Sequence, residues 1–83
     1  MMMNNLNTEL SDHIKLLRFK SKLSQDEVAK ILNISRNTYN NWENNPIQLN
    51  LDTLEKIGKV FETDIFIFFT EYVAKRNAKH NVS

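Results

Sequence analysis

The segment Ser24-Gln25-Asp26-Glu27 leaves this chain few options. A serine followed three residues later by a glutamate is the spacing of a capping box, in which each side chain satisfies a backbone N–H left unpaired at a helix start. Val28, Ile31 and Leu32 continue as an apolar stripe at helical spacing, with small Ala29 beside it. Asn33 follows, one of the few non-glycine residues that tolerates the left-handed conformation of a sharp helix exit. Ser35 can cap another helix at once, with Ile34 packing inward and Tyr39 and Trp42 supplying the buried side. Two helices of about eight residues, predicted at 25–32 and 36–43, are too short to persist alone. They must pack on each other across a three-residue turn and lean on the rest of the chain.

The remaining elements follow from the same signals. Leu10, Ile14 and Leu17 mark one face of a helix at about 9–21, which Asn7, Thr8 or Ser11 could cap. Asn44-Asn45-Pro46 closes the 36–43 helix, and Asn50 caps a helix at about 51–61 with Leu51, Leu54, Ile57 and Phe61 on its apolar face. Gly58 inside that helix costs roughly 1 kcal/mol relative to alanine, which points to a close helix contact. Asp64 stands as a cap for a helix at about 65–77. The β-branched and aromatic run Ile65–Phe69 would also suit a short strand. Helix is preferred because Tyr72 and Val73 extend the stripe. The expectation is a five-helix, all-α domain over 9–74, with a flexible N-terminus at 1–8 and a polar, basic tail at 75–83.

Composition excludes several classes. Eighty-three residues suffice for one domain with a modest core. There is no cysteine, which removes disulfides, thiolate zinc sites and cysteine catalysis. Met1-Met2-Met3-Asn4-Asn5 does not read as a signal peptide, and the longest apolar run, Ile65 to Phe69, is far short of the roughly 20 residues that span a bilayer. A soluble, cytoplasmic chain without a membrane partner is expected. The net charge of +1 says little, but its distribution says more. Between His13 and Asn41, Lys15, Arg18, Lys20, Lys22, Lys30 and Arg36 face only Asp26 and Glu27. From Trp42 to Ala74 the balance reverses, and Lys75, Arg76 and Lys79 follow in the tail. A basic front half suits a phosphate-contacting surface, though ordinary solvated lysines would give the same count.

The motifs Ile14-Lys15-Leu16-Leu17-Arg18, Leu23-Ser24-Gln25-Asp26-Glu27-Val28-Ala29, Asn33-Ile34-Ser35-Arg36-Asn37-Thr38 and Trp42-Glu43 fall in one register. With Leu51-Asp52-Thr53-Leu54 and Phe61-Glu62-Thr63-Asp64-Ile65, they resemble the phage-repressor and Cro (Xre) family over roughly residues 10–69. The resemblance implies a lambda-repressor-like helix-turn-helix domain that binds double-stranded DNA. It implies that Ser24, Gln25, Thr38 and Asn44 contact backbone phosphates, Gln25 aided by the dipole of its helix. It also implies that Arg36, Asn37 and Asn41 read bases from the major groove, with Asn40 as a lesser candidate. Arg18 and Glu43 align with a salt bridge that ties the first helix to the end of the third. Asn33 and Gly58 stand where relatives commonly carry glycine and alanine, and Phe66-Ile67 is greasier than the family pattern.

The chemistry of those positions is sound in itself. Arginine can donate two hydrogen bonds to guanine O6 and N7, and asparagine can pair bidentately with adenine N6 and N7, although a solvated polar face is the plainer reading. Tyr39 and Trp42 could stack on bases, but their spacing turns them away from the polar side and favours the core. Arg18 sits at the core edge, where an unpaired charge is costly, so a scaffold role suits it better than DNA contact. Some of Phe66 and Ile67 should be exposed, because five consecutive apolar residues cannot share one helix side, and with Phe69 they make a candidate interface. That surface is assigned to a homodimer reading two half-sites, with a docking patch for another protein as the alternative. Leu16 and Phe19 are surplus apolar positions without a role. His13 and His80 lack partners at metal spacing and no glycine-rich phosphate loop exists, so neither an enzyme nor a cofactor is expected. The function expected is a transcriptional regulator of bacterial or phage origin, a repressor on an inverted-repeat operator, without a separate ligand-sensing domain. The alternative is an antitoxin or adaptor that covers a partner protein with its apolar C-terminal helix.

Overall fold

The computed structural model describes the backbone of residues 5–81 and the side chains of residues 6–74. Its elements are α1 (Asn5–Lys20), α2 (Gln25–Leu32), α3 (Arg36–Asn44), a single 3-10 turn (Pro46–Gln48), α4 (Leu51–Val60) and α5 (Phe66–Asn81). No strand occurs among the described residues, so the strand alternative for Ile65–Phe69 falls away. The chain folds as the expected five-helix, lambda-repressor-like domain. His80 and the tail cations Lys75, Arg76 and Lys79 lie outside the described side chains.

α1 begins at Asn5, four residues before its expected start, so residues 5–8 are helical. None of the proposed caps operates there. Asn7 lies inside the helix and reaches across to the chain after α3, donating from Nδ2 to the Asn44 carbonyl at 3.2 Å and accepting the Ile47 N–H at 3.1 Å. Ser11 is buried and donates to the Glu43 carbonyl at 2.7 Å. Long-range hydrogen bonds therefore hold the first turns, which no local capping pattern could reveal. At the other end, α5 extends past the expected stop at 77 to Asn81. It starts one residue later than expected, at Phe66, whose N–H the Asp64 carboxylate accepts at 3.0 Å.

The capping box at Ser24 and Glu27 is complete, and Ser35 and Asn50 cap α3 and α4 through the N–H groups of Thr38 and Thr53. Three helices end without glycine. Lys22, Asn33 and Glu62 adopt left-handed φ values of 60°, 61° and 56°. In each case the next N–H turns back to a carbonyl five residues earlier: Leu23 to Arg18, Ile34 to Ala29 and Thr63 to Gly58. These are Schellman exits, and at Lys22 and Glu62 the conformation costs of the order of 1 kcal/mol against glycine. Only Asn33 was legible in advance, because lysine and glutamate carry no turn signal.

The core comprises Leu10, Ile14, Val28, Ala29, Tyr39, Leu54, Ile57, Phe61 and Ile65. Leu51, placed on the apolar face of α4 by spacing, is instead exposed, as is Ile31 on α2. Both sit on the flank of a stripe whose centre already fills the space between helices. α2 packs on α3 and α4, while α1 supports α3 and the 3-10 turn, so the short pair rests on a scaffold on two sides.

α5 docks on α1 through aromatic contacts. The His13 ring lies 4.9 Å from that of Phe68, which also meets Phe69 edge-on at 5.5 Å and Tyr72 at 6.0 Å. Burial lowers the His13 pKa, an effect that nearby Lys20 reinforces and Glu71 opposes. With a folded value below 6.5, the unfolded chain binds more protons, so the contact contributes fully above 6.5 and weakens as pH falls below it. His13→Phe is expected to flatten the pH dependence of thermal stability between about pH 5 and 7, measured by circular dichroism. An unchanged slope would remove His13 as its source.

Candidate nucleic-acid interface

The site is built on one buried carboxylate. Glu43 occupies the last turn of α3 and is 0% exposed. Oε2 accepts hydrogen bonds from Arg18 Nε at 2.7 Å and from the Tyr39 hydroxyl at 2.8 Å. Oε1 accepts from Arg18 Nη2 at 3.2 Å and Gln25 Nε2 at 2.8 Å. Arg18 also donates to the Leu23 carbonyl at 3.1 Å, which binds the exit of α1 into the same cluster. Burial by itself would raise the Glu43 pKa, but hydrogen bonds from Arg18, Gln25 and Tyr39 outweigh it and hold the carboxyl below its ordinary range. The Glu43 hydrogen bond raises Arg18 in turn, and burial raises the Tyr39 phenol. Every buried side-chain nitrogen and oxygen among the described residues has a partner. A charge this deep is tolerated only because it is paired and fully hydrogen-bonded.

This cluster fixes the angle between the two short helices. Arg18 comes from α1, Gln25 from the first turn of α2, and Tyr39 and Glu43 from α3. Trp42 is half-buried against the core. Tyr39 is fully buried, which rules out base stacking for it.

With that side of α3 anchored, the other faces solvent. Arg36, Asn37, Asn41 and Asn44 are exposed, and Thr38 and Asn40 are half-buried. Thr38 is committed to the cap: its N–H donates to Ser35 Oγ at 3.1 Å and its hydroxyl accepts from Ser35 at 2.9 Å. Ser24 is exposed at the start of α2, where it accepts the Glu27 N–H at 3.0 Å. Gln25 is turned inward: besides Glu43, its Nε2 donates to Asn40 Oδ1 at 3.1 Å. Both amide protons are thus used inside the protein. Spacing could place Gln25 at a helix start but could not show that its side chain folds under α3.

The arrangement is an exposed row of hydrogen-bonding side chains on a helix held across the front of a second. Residues 14–68 match the helix-turn-helix family. The chain belongs to that family. It is an Xre-type helix-turn-helix protein. Two curated relatives are similar to it, the antitoxin HipB of Escherichia coli O6:H1 (strain CFT073) and the antitoxin HipB of Escherichia coli K12. Each is 40% identical over 55 residues, covering 66% of this chain and 58% or 62% of the relative. The chain therefore spans about three fifths of the length of those curated relatives. No solved structure matches it significantly.

The residues assigned to a second protein surface are only partly free. Phe66 and Phe69 pack half-buried against the core with ring centroids 6.4 Å apart. Ile67 is 53% exposed, and Val73 on the same helix is exposed as well. Among the described residues the most exposed large apolar side chain is on α1, where Phe19 is 79% exposed with Leu16 one turn before it. No described helix is long and apolar enough to cross a membrane.

Proposed function

We propose that this helix-turn-helix protein is a sequence-specific transcriptional regulator that binds an inverted-repeat operator as a homodimer and represses from it. The observation that carries this reading is the exposed row Arg36, Asn37 and Asn41 on a helix whose opposite side is pinned by the buried Glu43 cluster. A rigid polar row lets α3 enter the major groove with side chains that can pair with base edges. Ser24 and Asn44, exposed at the ends of the helix pair, have the placement of phosphate contacts that set register without carrying sequence. Because one short recognition helix buries too little to be selective, a two-fold pair reading two half-sites is the arrangement that gives useful specificity. Ile67 and the edges of Phe66 and Phe69 are its proposed interface.

Selection from a random duplex pool tests the reading. Recovery of an inverted repeat with half-sites about one helical turn apart is expected. Recovery of no enriched sequence would overturn specific recognition. Asn37→Ala is expected to relax the preference at one base position, with a loss of about 1–3 kcal/mol on the selected site and little on unrelated duplexes. Competition binding against both duplexes measures that difference.

A second reading draws on the similarity to the antitoxins. The chain would then pair with a partner protein, using the exposed apolar side chains of α5. Sedimentation separates the two: a homodimer in isolation favours the repressor, and a monomer that assembles only with another protein favours the antitoxin.

A further inference from the structure

The end of the recognition helix is finished by α1 rather than by its own neighbours. A helix leaves its last carbonyls without intrahelical partners, and the turn that follows opens with unpaired N–H groups. Asn45 directs its donors backward: its N–H meets the Asn41 carbonyl at 2.9 Å, and its Nδ2 donates to the same oxygen at 3.4 Å. Its side chain makes no cap for the 3-10 turn. Pro46 heads that turn and has no N–H, so Ile47 carries the first unpaired donor. Two residues of α1 supply what is missing. Ser11 donates to the Glu43 carbonyl at 2.7 Å. Asn7 donates to the Asn44 carbonyl at 3.2 Å and accepts the Ile47 N–H at 3.1 Å. One amide group thus closes the end of α3 and the head of the turn together, with Pro46 buried between its two contacts.

We propose that Asn7 is a positioning residue for DNA binding, holding the Asn44 backbone so that the Asn44 side chain meets a phosphate oxygen. This rests on the DNA-binding reading of α3. The Asn44 side chain is exposed and makes no hydrogen bond to the described residues, so its NH2 group is free to donate. Its direction is only as firm as the peptide that carries it. That peptide is the last of the helix, where fraying is the ordinary state, and Asn45 has already left helical geometry with φ −131° and ψ 54°. An unheld helix end would have to be ordered on the duplex at a cost in affinity, and a clamp from α1 removes that cost before DNA arrives. The contacts span 37 and 40 residues of chain, so the clamp exists only in the folded domain.

Two measurements test it. In the free, 15N-labelled protein, Asn7→Ala is expected to speed backbone amide exchange at Ile47 roughly tenfold and to leave Thr38, capped by Ser35, unchanged. Unchanged exchange at Ile47 would overturn the clamp, whatever the protein does with DNA. Alanine suits a helix position, so α1 is expected to persist, and circular dichroism checks that each variant is folded. The second is a double-mutant cycle with Asn7→Ala, Asn44→Ala and the pair, on the selected duplex and on an unrelated one. Asn44→Ala is expected to weaken binding about fivefold on both duplexes alike, because a phosphate contact carries no sequence. Asn7→Ala is expected to weaken both about threefold, and the pair to lose no more than Asn44→Ala alone. Losses that multiply in the pair would mean that Asn7 acts independently of Asn44 and would overturn the proposal. Full affinity in Asn7→Ala with Ile47 exchange raised would also overturn it, leaving the clamp structural alone. A loss confined to the selected duplex would overturn the phosphate assignment. A wild-type protein that binds no duplex overturns the DNA reading and the proposal with it, and Ile47 exchange then reports on the clamp by itself.

Discussion

Glu43→Ala is expected to destabilise the protein by about 3–5 kcal/mol, near half the stability of a small domain. The substitution removes the acceptor for four donors and leaves the Arg18 guanidinium, partly buried, without its counter-ion. It also empties the space between α1, α2 and α3. Urea unfolding followed by circular dichroism measures the loss. A cost below about 1 kcal/mol would mean that the cluster contributes no more than a surface ion pair does. Glu43→Gln separates charge from shape, because it fills the same volume but turns an NH2 group toward donors. The pH dependence follows from the same cluster. The folded carboxyl titrates below its ordinary value of 4.5, so its contribution is complete above that pH and is lost as pH falls through the folded value. Glu43→Gln should lack that acid-sensitive part while remaining less stable at neutral pH.

Gly58→Val is expected to cost about 3 kcal/mol, the upper end of what inserting methyl groups into a tight contact costs. A Cβ at position 58 would stand 2.9 Å from the Thr63 carbonyl oxygen and 3.2 Å from both the backbone nitrogen and the Cβ of Ile65. Two of those atoms are backbone in the turn between α4 and α5, so no side-chain rotation relieves the clash. The turn is fixed from within, because the Thr63 N–H donates back to the Gly58 carbonyl at 3.0 Å with Glu62 left-handed between them. Gly58→Ala should cost less, since its gain in helix propensity of about 1 kcal/mol offsets part of the clash. The clash predicts an order of thermal stability: wild type, then alanine, then valine. A stabilised Gly58→Ala would show that the α4–α5 corner can open freely.

How far the sequence could lead depended on the range of the interaction. Ser24 and Glu27, Asn33, Ser35, Asn50 and Asp64 act within one turn of their own position, and each does in the structure what its place in the chain required. The helix pair, its turn and the outward row of Arg36, Asn37 and Asn41 follow from those local signals and from the spacing of Tyr39 and Trp42. Gly58 also announced a close contact, through the cost of keeping glycine inside a helix. The Arg18–Glu43 pair was implied by resemblance alone, since 25 residues separate the partners.

The sequence by itself therefore determined the number of helices, where most begin, which face of the third is polar and where the glycine must pack. Only the tertiary structure decided what Asn7, Ser11, Gln25 and Tyr39 do with their polar atoms. Those four bond to residues across the fold, and a polar side chain's partner depends on which surface it meets at the end. Gln25 shows the difference most sharply. The capping box beside it fixed its place at the head of α2, because caps depend on neighbours one turn away. Whether its amide faced a phosphate or Glu43 depended on a buried charge 18 residues along the chain, and the need to satisfy that charge turned it inward.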